Sequence, residues 1–265
     1  RSLRSITIGQ GAKVNGPIRK ERFDITAASE VMAILALSKD YRDLRERLGR
    51  VVVASDMDGA PVTADQLNAG GAMALLLRDA FLPNLVQTLE GDPAFIHCGP
   101  FANIAHGNSS VVADSIALST CDYVVTEAGF GADMGAEKAL QIKSDSSGII
   151  PDCIVLNVTV RSMKLHGGAF GNKGSRRPTS EELATENVEA TLIGASTNLA
   201  RHLANLTRTG IPVVVSINRF STDTDRELSS IKDIALANGA REVVLFEGHG
   251  KGGECAVELA RSVLE

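Results

Sequence analysis

PVVVSINRFSTDTDREL, residues 212–228, carries a strand, a turn and a helix start in one short stretch. Val213, Val214, Val215 and Ile217 make a run that is apolar at nearly every position. Alternation would mark a strand with one wet face; a continuous run marks one covered on both faces, as in a parallel sheet. Asn218, Arg219 and Phe220 end the run. Thr224 and Glu227 then stand three apart, the spacing at which a threonine side chain accepts the third helical amide and the glutamate reaches back to the cap. The helix this starts is predicted to run to Asn238 and Gly239.

The same grammar recurs outward from this stretch. Short β-branched runs at 51–54, 94–96, 123–126, 154–160 and 243–246 alternate with helical stretches. The fold class they predict is α/β, a mostly parallel sheet flanked by helices. Asp24 or Thr26 can cap a helix through Val31, Ile34, Leu35 and Leu44 that stops at Gly49. Thr179 with Glu182 forms a second capping-box pattern, with its helix expected to reach Arg208 before Gly210 and Pro212. Asp58-Gly59 between residues 51–55 and 61–63 reads as a hairpin. The glycine-rich stretch 166–178 is the expected mobile surface insertion. Without internal repeats or low-complexity tracts, residues 1–265 read as a single α/β domain.

Composition narrows the function classes. With 265 residues and 44% hydrophobic content, the chain can bury a sizeable core. Its net charge of -5, with 27 basic residues scattered among 32 acidic ones, offers no basic stripe for a nucleic-acid backbone. No apolar run approaches the ~20 residues of a membrane helix. Cys98, Cys121, Cys153 and Cys255 stand far apart, without zinc-knuckle spacing or a disulfide framework, which fits a reducing, cytoplasmic compartment. The chain opens on Arg1 and closes at Glu265 inside a helical pattern, so a section of a longer polypeptide is expected.

Three connections could carry chemistry. HCGPFANIAHGNSS, residues 97–110, follows a short strand and leads into a helix expected to be capped by Asn108 or Ser109. Free amides at such a helix start favour an anion, and His97 and His106, on the same connection as Gly99, Asn103, Gly107 and Ser109, could donate to a phosphate or carboxylate. The same residues also suit a structural turn whose histidines satisfy nearby carbonyls. In DYVVTEAGFGADMGAEK, residues 122–138, Glu127 and Asp133 follow an apolar run, where acids of α/β sheets hold Mg²⁺ through water or merely cap a helix. Asn218 offers a donor and an acceptor to a purine edge and Phe220 a stacking face, or both are plain turn residues. Lys251, in GHGKGGE, has the look of a phosphate contact, but the pattern G-x-x-x-x-G-K-[ST] of a P-loop occurs nowhere in the chain.

Taken together, FDITAASEVMAIL (23–35), PNLVQTLEGDPAFIHCGPFANIAHG (83–107), DYVVTEAGFGADMGAEK (122–138), INRFSTDTDREL (217–228) and GKGGE (250–254) resemble one family, formate–tetrahydrofolate ligase, also called 10-formyltetrahydrofolate synthetase. The resemblance implies a P-loop NTPase-like core, here incomplete because the P-loop is absent. It implies MgATP, formate and tetrahydrofolate as substrates, a monovalent cation, and assembly as a homo-oligomer, in family members a tetramer. By position in the matching strings, His97, Asn103 and His106 would line the phosphate and formyl region. Glu127 and Asp133 would orient Mg²⁺, and Asn218, Arg219 and Phe220 would meet the adenine. Family members read His-Gly-Gly-Pro where this chain has His97-Cys98-Gly99-Pro100, and carry a shorter connection than residues 169–180. The chain alone is expected to be inactive. The alternative is a non-catalytic relative that serves as a binding or assembly module.

Overall fold

A computed structural model describes residues 5–21, 29–99, 106, 108–129, 131–170 and 178–265, with the side chain of His249 left aside. The chain forms two compact units, Arg1–Ile149 and Ile150–Glu265. Among the described residues no helix is long and apolar enough to cross a membrane.

The first unit opens with a short antiparallel ribbon, β1 (Ile6–Ile8) with β2 (Arg19–Glu21). Two helices follow, α1 (Glu30–Leu37) and α2 (Tyr41–Gly49), where the sequence predicts one. Ser38 breaks the run: its hydroxyl donates to the Ile34 carbonyl, its backbone turns extended, and Asp40 starts the second helix by accepting the Asp43 amide. Ser29 caps α1 by accepting the amide of Met32, while Asp24 and Thr26 lie outside the described residues. The expected hairpin forms from β3 (Val52–Ser55) and β4 (Pro61–Thr63), turning at Gly59 with φ +83°. After α3 (Gly70–Leu76), β5 (Asn84–Gln87) and β6 (Pro93–Ile96) make another antiparallel hairpin. Helix α4 (Val111–Thr120) precedes two π-helical segments, Gly131–Ala136 and Ala139–Ser144, and the single turn α5 (Asp145–Ser147). Leu35, Leu44, Leu48 and Phe81 are the core of this unit, with Tyr41 set against Phe81 at a ring separation of 4.7 Å.

Two predicted strands of this unit differ from expectation. Residues 93–96 pair antiparallel with Asn84–Gln87, and residues 123–126 join no ladder among the described residues. Val125 is 95% exposed and Tyr123 72%. An apolar run announces that a strand wants cover, and says nothing about which strand supplies it.

The second unit contains the parallel sheet. Its strands are β7 (Ile154–Val158), β8 (Val213–Asn218) and β9 (Glu242–Phe246). Among the described residues α6 (Val160–His166), α7 (Ser180–Ala184), α8 (Val188–Gly194) and α9 (Ala200–Leu206) lie between β7 and β8, and α10 (Asp225–Ala237) between β8 and β9. The short α11 (Gly248–Lys251) and α12 (Ala256–Leu264) close the chain. The order is β7-β8-β9, all parallel, with Leu156 opposite Val215 and Ser216 opposite Val244. β8 lies in the middle and Val213 through Ile217 are all buried, which is why that run is apolar on both faces. Helix α10 puts Leu228, Ile231 and Ala235, at spacings of three and four, into the core. Its predicted capping box is present. The box at Thr179 and Glu182 forms too, but α7 stops at Ala184, and Asn187 caps a new helix by accepting the Ala190 amide. Helices α6 and α8 cross closely: a Cβ on Gly194 would lie 2.0 Å from the Met163 carbonyl oxygen.

Candidate functional site

In the first unit the connection after β6 gathers the polar side chains that the core excludes. His97 and His106 are both buried, 6% and 2% exposed. His97 Nε2 lies 2.8 Å from the Ala80 carbonyl oxygen, which can only accept, so that nitrogen carries the proton. Its Nδ1 then accepts from the Ser110 hydroxyl at 2.6 Å. The same hydroxyl oxygen accepts the Ala113 amide at 3.0 Å, so Ser110, rather than Asn108 or Ser109, is the cap of α4. Ser109 donates its hydroxyl to the His97 carbonyl at 3.4 Å. Both nitrogens of His97 thus hold the loop in place.

His106 is arranged differently. Its Nε2 donates to the Ser109 carbonyl at 3.1 Å, and its Nδ1 has no partner among the described residues. Burial pushes the ring toward its neutral form, and the nearby Lys143 cation acts in the same direction. Lys143, on the second π-helical segment, is 3% exposed and ion-paired with Asp114 of α4, itself 8% exposed. Burial depresses the affinity of Lys143 for its proton, and Asp114 opposes the loss. The Asn108 carboxamide oxygen is a further buried acceptor with no partner among the described residues. Cys98, with φ +60°, has its thiol pushed up to about 11 by burial, so it stays protonated. Asn103 and Gly107 lie outside the described residues, and Gly99 is half-buried.

A cleft of 210 Å³ opens beside this cluster, lined by Phe95, Ser109, Asp114, Tyr123 and Val125 among others. Glu127 directly follows the Tyr123 to Thr126 wall and is exposed, as is Asp133 in the first π-helical segment. No group of three or more metal-binding side chains gathers among the described residues.

The second unit brings its candidates to the carboxyl ends of the parallel strands, where open α/β sheets take ligands. Asn218 is the last residue of β8, and the Arg219 amide extends the ladder to the Phe246 carbonyl at 2.9 Å. Phe220 donates its amide to Asp223 Oδ2 at 2.8 Å, and the guanidinium of Arg161, just after β7, lies 3.7 Å from its ring centroid. Arg161 Nε and Asp223 Oδ1 are buried without hydrogen-bond partners among the described residues, and burial raises the Asp223 carboxyl above its usual range. Beyond β9, Glu247 pairs with Lys251 and lies 4.0 Å from Arg219; Lys251 holds its carboxylate below the ordinary glutamate range.

The family model described as formate–tetrahydrofolate ligase matches residues 1–265. The chain is 52% identical over 264 residues to the formate–tetrahydrofolate ligase of Desulforamulus reducens, covering all of this chain and 46% of that relative.

The chain belongs to the formate–tetrahydrofolate ligase family.

Among other members of the family, the ligase of a Roseiflexus species is 51% identical over 264 residues, and ligase 2 of Rubrobacter xylanophilus 52% over 265. Each covers this whole chain with 46% of its own length, so the chain spans about half of the ligases it matches. Lys143, Asp114, Arg161 and Asp223 were not singled out by sequence reasoning. A lysine inside ALQIKS and an aspartate inside VVADSIAL have the look of solvated helix positions. Only the packing of α4 against its unit turns them inward.

Proposed function

We propose that this chain supplies part of the apparatus with which a formate–tetrahydrofolate ligase joins formate to tetrahydrofolate at the expense of ATP. The observation that carries the reading is the match along every residue to ligases about half identical in sequence. Formate attacks the terminal phosphate of ATP, forming formyl phosphate and ADP. The folate amine then attacks the formyl carbon, the carbon–oxygen bond to phosphate breaks, and one amine proton leaves. Both steps build charge on oxygen, so positioning and neutralisation carry the rate.

The first-unit cluster handles the formyl and phosphate end. His106 presents Nδ1, which has no partner among the described residues, Asn103 lies three residues before it in sequence, and Gly99, Gly107 and Ser109 are assigned to the same phosphate-binding connection, which His97 anchors. Glu127 and Asp133, two exposed carboxylates, would hold Mg²⁺, directly or through water. That ion neutralises phosphate oxygens when bound. In the second unit Asn218, Arg219 and Phe220 meet the adenine, and Lys251, on exchanging Glu247 for a phosphate, holds the anion. Family assembly as a cytoplasmic homo-oligomer and a monovalent cation belong to the same reading.

An assay of the full-length protein for ATP-, formate- and tetrahydrofolate-dependent production of 10-formyltetrahydrofolate tests it. Turnover that needs all three substrates is expected; none under any of these conditions would overturn the reading. The isolated 265 residues, which hold no P-loop pattern, are expected to show negligible turnover in the same assay.

A further inference from the structure

We propose that Arg161 is a positioning residue for Phe220: its guanidinium backs one face of the ring, which presents the other face to a planar heterocycle, the adenine of ATP. The proposal rests on the reading above that Phe220 meets the adenine. Val158 of β7 faces Ile217 of β8, and Arg161 and Phe220 each follow that pair by three residues, so the parallel register brings both to one level at the carboxyl end of the sheet. There the guanidinium carbon lies 3.7 Å from the ring centroid, close enough for the planar cation to lie against the ring face. The backbone of Phe220 is pinned as well. Asp223, 5% exposed, accepts the Phe220 amide at 2.8 Å and donates its own amide to the Phe220 carbonyl at 3.0 Å. Phe220 nevertheless keeps part of its surface open to solvent.

An arginine that only tied two connections together would spend its donors on the carbonyls around it. Arg161 Nε is instead buried with no hydrogen-bond partner among the described residues, a cost that contact with one phenyl ring does little more than offset. The arrangement is accounted for if the ring has work to do. A stacking surface whose rotamer is set before the ligand arrives does not charge its ordering to the binding step. The cation behind the ring also weakens the negative potential of its front face, which eases parallel stacking of a second π system.

The test measures by calorimetry the affinity of the full-length protein for MgATP, for magnesium tripolyphosphate, which has phosphates and no base, and for tetrahydrofolate. Arg161→Met, or Arg161→Gln should the Met variant fail to fold, is expected to weaken MgATP about three- to tenfold and to leave tripolyphosphate within about twofold. In a Phe220→Ala background the same change should add nothing, since a residue that acts through the ring then has nothing to hold. Affinities all unchanged by the Arg161 substitution, equal losses for MgATP and tripolyphosphate, or a loss that persists undiminished without the Phe220 ring would overturn the proposal and leave Arg161 a structural residue. Phe220→Ala weakening tetrahydrofolate and sparing MgATP would instead overturn the adenine reading. The Arg161 cycle, read on tetrahydrofolate, would then decide the positioning role by the same criterion.

Discussion

Lys164 Nζ lies 2.7 Å from the Glu227 carboxylate, and neither side chain reaches solvent. Lys164 also donates to the carbonyls of Leu183 and Thr185, while Glu227 accepts the amide of Asn187 and closes the capping box of α10. One ion pair therefore ties α6, the turn after α7 and the start of α10 together in the second unit.

Breaking that pair from one side should be costly. Lys164→Met leaves the Glu227 carboxylate buried and unpaired, and a loss of about 3 to 5 kcal/mol is expected in urea unfolding. A midpoint within error of wild type would show that water reaches the pair.

The same carboxylate gives the second unit an acid limit. Burial alone would raise Glu227, but hydrogen bonds from Asn187 and Lys164 outweigh it and hold the carboxyl below its usual 4.5. A depressed folded value contributes stability that is present above the unfolded value and lost as pH falls through the folded one. Unfolding followed from pH 7 downward should thus show this contribution intact until about 4.5 and declining below it. Glu227→Gln should flatten that limb.

Ser110→Ala removes the cap of α4 and the hydroxyl that satisfies His97 Nδ1 in one change. The cap alone is worth about 1 kcal/mol, and the orphaned ring nitrogen adds to it. Ser110→Thr, which keeps both hydrogen bonds, should recover most of the loss in thermal unfolding.

Gly194→Ala forces a methyl against the Met163 carbonyl at the crossing of α6 and α8. Helix propensity favours alanine, yet the backbone has to part to admit it, so a net loss of about 1 to 3 kcal/mol is expected by calorimetry. A gain in stability would mean that the crossing relaxes freely.

His106→Asn keeps a polar, smaller side chain and removes the free Nδ1. In the full-length ligase the formyl-transfer rate should fall by about 10² to 10⁴, the range of a general base. His97→Asn should act instead on stability, because both nitrogens of His97 serve the loop.

The second unit was legible because its signals are local or periodic. The continuous apolar run of β8 announced a central strand, and Thr224 with Glu227 placed the start of α10 correctly. The first unit was legible only in its elements. Residues 93–96 read as a strand and form one, but their antiparallel pairing with Asn84–Gln87 is a matter of which chain lies alongside. The break between α1 and α2 was missed because Ser38 ends a helix by back-bonding to Ile34, which leaves no mark in hydrophobic spacing. In the site, His97 and His106 stood out as residue types, but their separate roles depend on which nitrogens meet Ala80, Ser109 and Ser110. Lys143 stayed hidden because a π-helical segment shifts the phase by which a helix face is read.

The central place of β8 sets a hierarchy of endurance. Its amides are shielded by strands on both sides and helices above and below, so deuterium should enter them last. The ribbon of β5 and β6 shows Leu85, Val86 and Ile96 to water and has no third strand at its side among the described residues. A protease supplied in small amounts should nick the ribbon's turn, residues 88–92, long before it touches the sheet.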